Sequence, residues 1–269
     1  MQIWERGFML LTFFLILLAG AGCEKIIDVE LNDANPQIVI EGNLSYNDSE
    51  LDVKISKTAN YFDSGQPVSL DNAEVFLKVS QEKTIRALPN GNGKYVLKNL
   101  KLKIDSEYQL IVKDGDKEYH ATSTLHRPVK IDSLSSEYQP ATHFFDSGYR
   151  ILFYFTDPIG QDNYYRLKIF RNGQVLNSFS ELFLFDDFQL DGKGIQVKLK
   201  TLKLNIDDNI KVQMYSIDKN AWTYLKSFRE LGTLHPGSPT PANPVSNFSN
   251  GALGYFSAWS MTEGEITIH

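Results

Sequence analysis

The sequence predicts an all-β protein, a β-sandwich followed by a second β-rich domain with one short helix. Three observations predict it. From Gln37 onward, apolar residues alternate with polar ones at period two in segment after segment, the mark of strands with one buried face. Clusters of Gly, Asn, Asp, Ser and Pro interrupt these segments about every 8 to 12 residues, as connections between short strands do. Helical spacing of apolar residues is clear in a single stretch, near 219–231.

The first 22 residues differ in kind from the rest. Gly7 to Gly22 (GFMLLTFFLILLAGAG) is an uncharged run of 16 residues behind Arg6, which reads as a secretory signal. A membrane-crossing helix needs about 20 apolar residues, and Glu24, Lys25 and Asp28 follow at once. Cys23, the only cysteine, lies directly behind Gly20, Ala21 and Gly22, a pattern that resembles a lipobox. The expectation is cleavage before Cys23 and alkylation of its thiol by a diacylglycerol, so that the chain is held to a membrane through lipid. Each buried CH₂ contributes about 0.8 kcal/mol, so two or more chains hold durably where one does not. Gly20 in place of the usual Leu and the neutralising Glu5 depart from that pattern.

Removal of residues 1–22 from the 269 leaves 247 residues, enough for one large domain or two ordinary ones, and two are expected. The net charge of −6 argues against nucleic acid as a partner. A lone cysteine excludes a disulfide framework, so the core rests on packing by a chain that is 42% hydrophobic. Residues 23–36 read as a lipidated tether ending at Pro36.

Strands are expected in QIVIEGNL (37–44), LDVKISK (51–57), AEVFLKV (73–79), TIRAL, KYVLKNL, EYQLIVK and KEYHATST, which together make a sandwich over 37–127. Pro89–Gly93 and Asp114-Gly115-Asp116 supply hairpin connections. The stretch GKYVLKNLKLKIDSEYQLIVKDG (93–115) resembles segments of transthyretin-like and immunoglobulin-like modules, which implies that fold for the first domain. Residues 128–140 read as a linker with one short strand, and 141–269 as the second domain. There, GYRILFYFTDP is too apolar on both faces for an outer strand and should lie centrally in its sheet. Asn172-Gly173 predicts a type I′ turn between NYYRLKIF and QVLNSF. ELFLFDDF, GIQVKLKTLKL and IKVQMYSI add strands. Asp218 should cap the helix whose Ala221, Trp222, Leu225, Phe228 and Leu231 recur at spacings of three and four before Gly232. Residues 235–260, rich in proline and glycine, read as a long irregular segment before a closing EITIH strand.

Three pieces of the second block resemble, in order, a family of Bacteroidota outer-membrane lipoproteins, domain-of-unknown-function family 4249. They are Asp157-Pro158-Ile159-Gly160 leading to Asn163-Tyr164-Tyr165-Arg166, then Trp222-Thr223-Tyr224-Leu225, and lastly Asn243–Asn247 leading to Asn250–Phe256. The resemblance implies an outer-membrane location, often facing outward, and work beside TonB-dependent β-barrel receptors that import nutrients. It implies no reaction and no catalytic residue.

Searching for chemistry yields mainly exclusions. His120, His126, His143, His235 and His269 are scattered without metal spacing, and neither Asp191-Gly192 nor Asp114-Gly115-Asp116 completes a calcium loop, so no metal and no cofactor are expected, with a weak cation site as the alternative. No Gly-x-Ser-x-Gly elbow or phosphate loop is present. Asp186-Asp187 and Asp207-Asp208 read as solvated turn residues. Asp157, Asn163, Tyr165 and Arg166 read first as a structural corner, with a polar ligand as the alternative; Trp222 reads first as packing, with a ligand-facing role for Trp222, Tyr255 and Trp259 as the alternative. Asp132-Ser133-Leu134 resembles a short O-glycosylation signal of the same phylum, with Ser133 as acceptor. The expectation is a non-enzymatic binding or accessory lipoprotein. The alternatives are a glycan-binding or glycan-hydrolysing surface protein and a structural, adhesin-like one.

Overall fold

The computed structural model describes residues 36–58, 67–80, 83–143, 146–176, 182–188, 190–232 and 243–269, without the side chains of 200–203. The leader, Cys23 and nearly all of the tether lie outside the described residues. Pro36–His269 forms one compact unit.

Seventeen strands and one helix are described. In chain order they are β1 (Ile38–Ser45), β2 (Glu50–Lys57), β3 (Val68–Ser69), β4 (Glu74–Ser80), β5 (Lys83–Arg86), β6 (Leu88–Pro89), β7 (Lys94–Leu97), β8 (Ser106–Asp114) and β9 (Lys117–Leu125). There follow β10 (Ile131–Gln139), β11 (Gly148–Thr156), β12 (Tyr164–Arg171), β13 (Gln174–Leu176), β14 (Phe183–Asp186), β15 (Gly194–Leu204), β16 (Asn209–Ile217), α1 (Lys219–Leu231) and β17 (Leu253–Thr267). The all-β expectation with one helix holds. The hairpins form where the turn residues predicted them: Asp114 pairs with Lys117, and Arg171 pairs with Gln174. Asn172 and Gly173 both have positive φ, 51° and 80°, as a type I′ turn requires.

The backbone of the molecule is a ten-stranded sheet in the order β13-β12-β16-β17-β1-β2-β7-β6, with β14 on β12 and β3 on β2. One half of it packs on the four-stranded sheet β5-β4-β8-β9 through a core that includes Ile40, Leu44, Val53, Leu77, Leu110 and Phe256. The other half packs on β10-β11-β15 through Ile151, Phe153, Phe155, Tyr165, Leu167 and Val212. β11 is the central strand of its sheet, as its apolar character on both faces predicts.

β17 joins the halves. Its first part pairs in parallel with β1, Leu253 opposite Val39 through Trp259 opposite Ser45, while Ser260 to Thr267 pairs antiparallel with β16. This corrects two expectations. The segment read as irregular to residue 260 is a strand from Leu253 onward. It was hidden because Phe256 and Ala258 face one core while Tyr255 and Trp259 face another cluster, so no apolar–polar alternation exists. The division at residue 127 also fails to separate the cores, because Phe248, Ala252, Phe256 and Ala258 belong to the first. Residues 128–140, expected to be a linker with one short strand, hold the nine-residue strand β10 at the edge of the β10-β11-β15 sheet.

Gly254 is required for that parallel pairing. Its φ is +96°, and a Cβ there would lie 2.0 Å from the carbonyl oxygen of Ile40.

Candidate functional site

Period two decides what β12 does with the predicted site residues. Tyr165 faces the second core, whereas Tyr164, and with it Arg166 at the next alternate position, faces the opposite side, where Tyr164 meets Trp222 of α1. The four residues weighed as one ligand cluster therefore do not share a face.

On the core side, Asp157 and Asn163 are buried, 2% and 6% exposed, and Tyr165 is fully buried. The Tyr165 hydroxyl donates to Asp157 Oδ1 at 2.6 Å. This bond seats the turn after β11 against β12, so these residues make the structural corner that the sequence favours, and the open ligand cluster weighed beside it does not form. Burial raises the Asp157 carboxyl above the ordinary aspartate range; the Tyr165 bond opposes this, and the charge of Asp187 adds to it. Burial and the neighbouring carboxylate likewise drive the Tyr165 hydroxyl upward.

Asp187 and Asp191, on the connection from β14 to β15, complete the corner. The Asn163 amide donates to Asp187 Oδ2 at 3.1 Å, and the Asp187 amide donates to the Asn163 carbonyl at 3.2 Å. The Gly160 amide donates to Asp191 Oδ1 at 2.7 Å. One carboxylate oxygen from each of Asp157, Asp187 and Asp191 lies within 4.8 Å of the others. Asp157 Oδ2 and Asn163 Oδ1 are both buried and accept no hydrogen bond. The three carboxylates that converge here bring only acceptors, and the Tyr165 hydroxyl is already committed to Asp157.

A surface pocket of about 340 Å³ opens beside this corner, lined among others by Asp162, Tyr164, Asp186, Asp187, Phe188 and Asp191. Phe188 is 77% exposed, and Ile159, whose side chain covers Gly192, is 80% exposed. Asp186-Asp187 is thus no pair of solvated turn acids: Asp187 is only 9% exposed. Asp208 departs from its expectation in the same way. It is 6% exposed and accepts from the Asn205 amide, Asn172 and Arg171. Burial works against its charge, but those donors outweigh it and hold the carboxyl below the usual range.

On the opposite face, Trp222, Tyr255 and Trp259 are brought into one cluster but are spent on packing. Tyr255 stacks on Tyr224 at 4.8 Å, Trp259 meets Tyr215 edge-on at 4.8 Å, and Trp222 lies 5.4 Å from Tyr164. Burial pushes the Tyr215 and Tyr224 hydroxyls up to about 12. Asp218 caps α1 by accepting from the Ala221 amide at 2.7 Å and also accepts from the Thr124 amide of β9 at 3.1 Å. Ser133 is exposed on edge strand β10, beside a register shift. No helix among the described residues is long and apolar enough to cross a membrane.

In the sequence Asp186-Asp187 reads as a pair of turn acids and Asp191-Gly192 as an incomplete calcium loop. Their convergence with Asp157 joins segments about thirty residues apart, which no local pattern encodes.

No curated protein matches the chain. Solved structures similar to it include the FN1-FN3 domains of chicken CNTN1, at 13% identity and TM-score 0.29, covering 68% of this chain and 60% of that one. A two-domain fibronectin type-III segment from chicken tenascin is similar at 12% identity and TM-score 0.25, with 87% and 95% covered. The chain thus spans about 60% of the length of the CNTN1 structure, and at these scores neither likeness bears on function. The family model described as "Domain of unknown function (DUF4249)" matches residues 24–265, and the chain belongs to that family.

Proposed function

We propose that this protein is a lipid-anchored, non-enzymatic binding or accessory component of the outer membrane, facing the cell surface beside a TonB-dependent import receptor. The observation that carries the binding role is the acidic pocket flanked by exposed Ile159 and Phe188. Exposed apolar side chains around a polar recess on strand-end loops favour recognition of a partner, because the sheets beneath hold the loops in place. The anchor rests on Cys23 behind its small residues, and the receptor partner rests on the family resemblance.

Cross-linking in intact cells followed by purification of the full chain tests the reading. A β-barrel receptor should co-purify, and Ile159→Ser with Phe188→Ser should reduce its recovery about tenfold or more. Absence of any such receptor, together with unchanged nutrient uptake in a deletion strain, would sink the proposal. Palmitate labelling of wild type but not of Cys23→Ala checks the anchor separately.

A further inference from the structure

We propose that Asp157, Asp187, Asp191 and Asn163 form a calcium site that ties the β11–β12 connection to the β14–β15 connection. The inference starts from spacing. Three carboxylate oxygens no more than 4.8 Å apart lie at most about 2.8 Å from a common centre, so a closure of a few tenths of an ångström at most brings all three into the 2.3–2.6 Å range of calcium–oxygen contacts. Magnesium, at about 2.0–2.1 Å, demands a tighter and near-ideal octahedral set of oxygens. The donor set is all oxygen, without histidine nitrogen or cysteine sulfur, which disfavours zinc and the later transition metals.

The second observation is burial without a partner, which a cluster of solvated acids does not show. Asp157 is 2% exposed and Asn163 6% exposed, and each holds a buried oxygen that accepts no hydrogen bond. Such atoms are costly to bury without a partner. Asn163 stands just before β12, and its backbone is bonded to Asp187, one of the three acids, in both directions. Asp157 itself is held in place by the Tyr165 hydroxyl, which takes one of its oxygens and leaves the other unpartnered. Main-chain amides already hold one oxygen of Asp187 and one of Asp191, which orients both carboxylates before an ion arrives. The adjoining pocket, lined further by Asp162 and Asp186, gives the ion an entry path and room for the waters that complete six to eight ligands. No contiguous calcium loop encodes the site. It is assembled from two connections by the Tyr165–Asp157 and Asn163–Asp187 bonds.

The experiment uses the purified full chain in detergent, stripped with EDTA and titrated with calcium chloride or magnesium chloride by calorimetry and thermal unfolding. Saturating calcium is expected to raise Tm on the order of 5 °C, with magnesium doing much less. Asp191→Asn keeps an acceptor for the Gly160 amide, so it should fold, yet bind calcium at least about tenfold more weakly. Asp187→Asn should behave likewise, whereas Asp116→Asn, in the β8–β9 turn, should bind as wild type. The proposal is overturned by a calcium-independent Tm with no binding heat. It is equally overturned if Asp191→Asn and Asp187→Asn retain wild-type affinity, since binding would then belong to scattered surface acids.

Discussion

At the scale of single residues, Gly254, Asp208 and Asp218 carry consequences that can be measured. Gly254→Ala places a methyl where the Ile40 carbonyl oxygen stands and adds strain at a φ of +96°. A loss of about 3 kcal/mol or more in urea-induced unfolding is expected, whereas Gly173→Ala, in open space at φ +80°, should lose only about 1 kcal/mol from backbone strain. Asp208 ties stability to pH. Its folded carboxyl lies below the ordinary value, so its contribution is present above the unfolded aspartate value of about 3.9 and fades as pH falls through the depressed folded one. Asp208→Asn should therefore narrow the difference in unfolding free energy between pH 7 and pH 3. Asp218 has the opposite sign. Burial raises its carboxyl, so its contribution is largest below the unfolded value and declines as pH rises through the folded one. At this scale the sequence showed residue types but not their company. Tyr165 was named as a ligand candidate, and nothing local could reveal that its hydroxyl would be consumed by Asp157.

Elements follow local rules where one strand face is buried and the turn chemistry is explicit. β1, β2, β8 and β9 alternate buried and open residues and lie within a residue or two of their expected bounds. The helix, too, matches its capping and spacing signals, Lys219–Leu231 behind Asp218. Asp218→Ala removes acceptors for the Ala221 and Thr124 amides at once and should cost about 2 kcal/mol in denaturant unfolding, the upper end for a lost cap. If the loss matched an ordinary exposed cap, near 0.5 kcal/mol, the bond to β9 would contribute nothing. β17 was read only in its last residues because both of its faces are covered, and periodicity cannot mark a strand without a solvent face. The same alternation that makes β12 legible also parts Arg166 from Asp157, a consequence visible once both partners of the strand are known.

Across the whole molecule, the long sheet makes the two cores interdependent. β17 supplies Phe256 and Ala258 to the first core and pairs with β16 of the second. A chain ending at Ala252 should therefore show no cooperative thermal transition by circular dichroism, and both halves should be cut by protease. Survival of a folded 37–127 fragment in that experiment would mean that the first sandwich closes without its parallel partner. Pairing β1 with a strand more than two hundred residues later also makes the first core dependent on the end of the chain. The sequence by itself determined the all-β class, most strand positions, the hairpin turns, the capped helix and the lipobox-like setting of Cys23, because each depends on neighbours within about ten residues. Tertiary structure alone decided that β17 spans both cores, that Tyr165 and Asp157 are internal partners, and that Asp157, Asp187 and Asp191 converge beside a pocket. Those outcomes arise from pairing and burial between segments distant in the chain, and such pairing leaves no local periodicity to read.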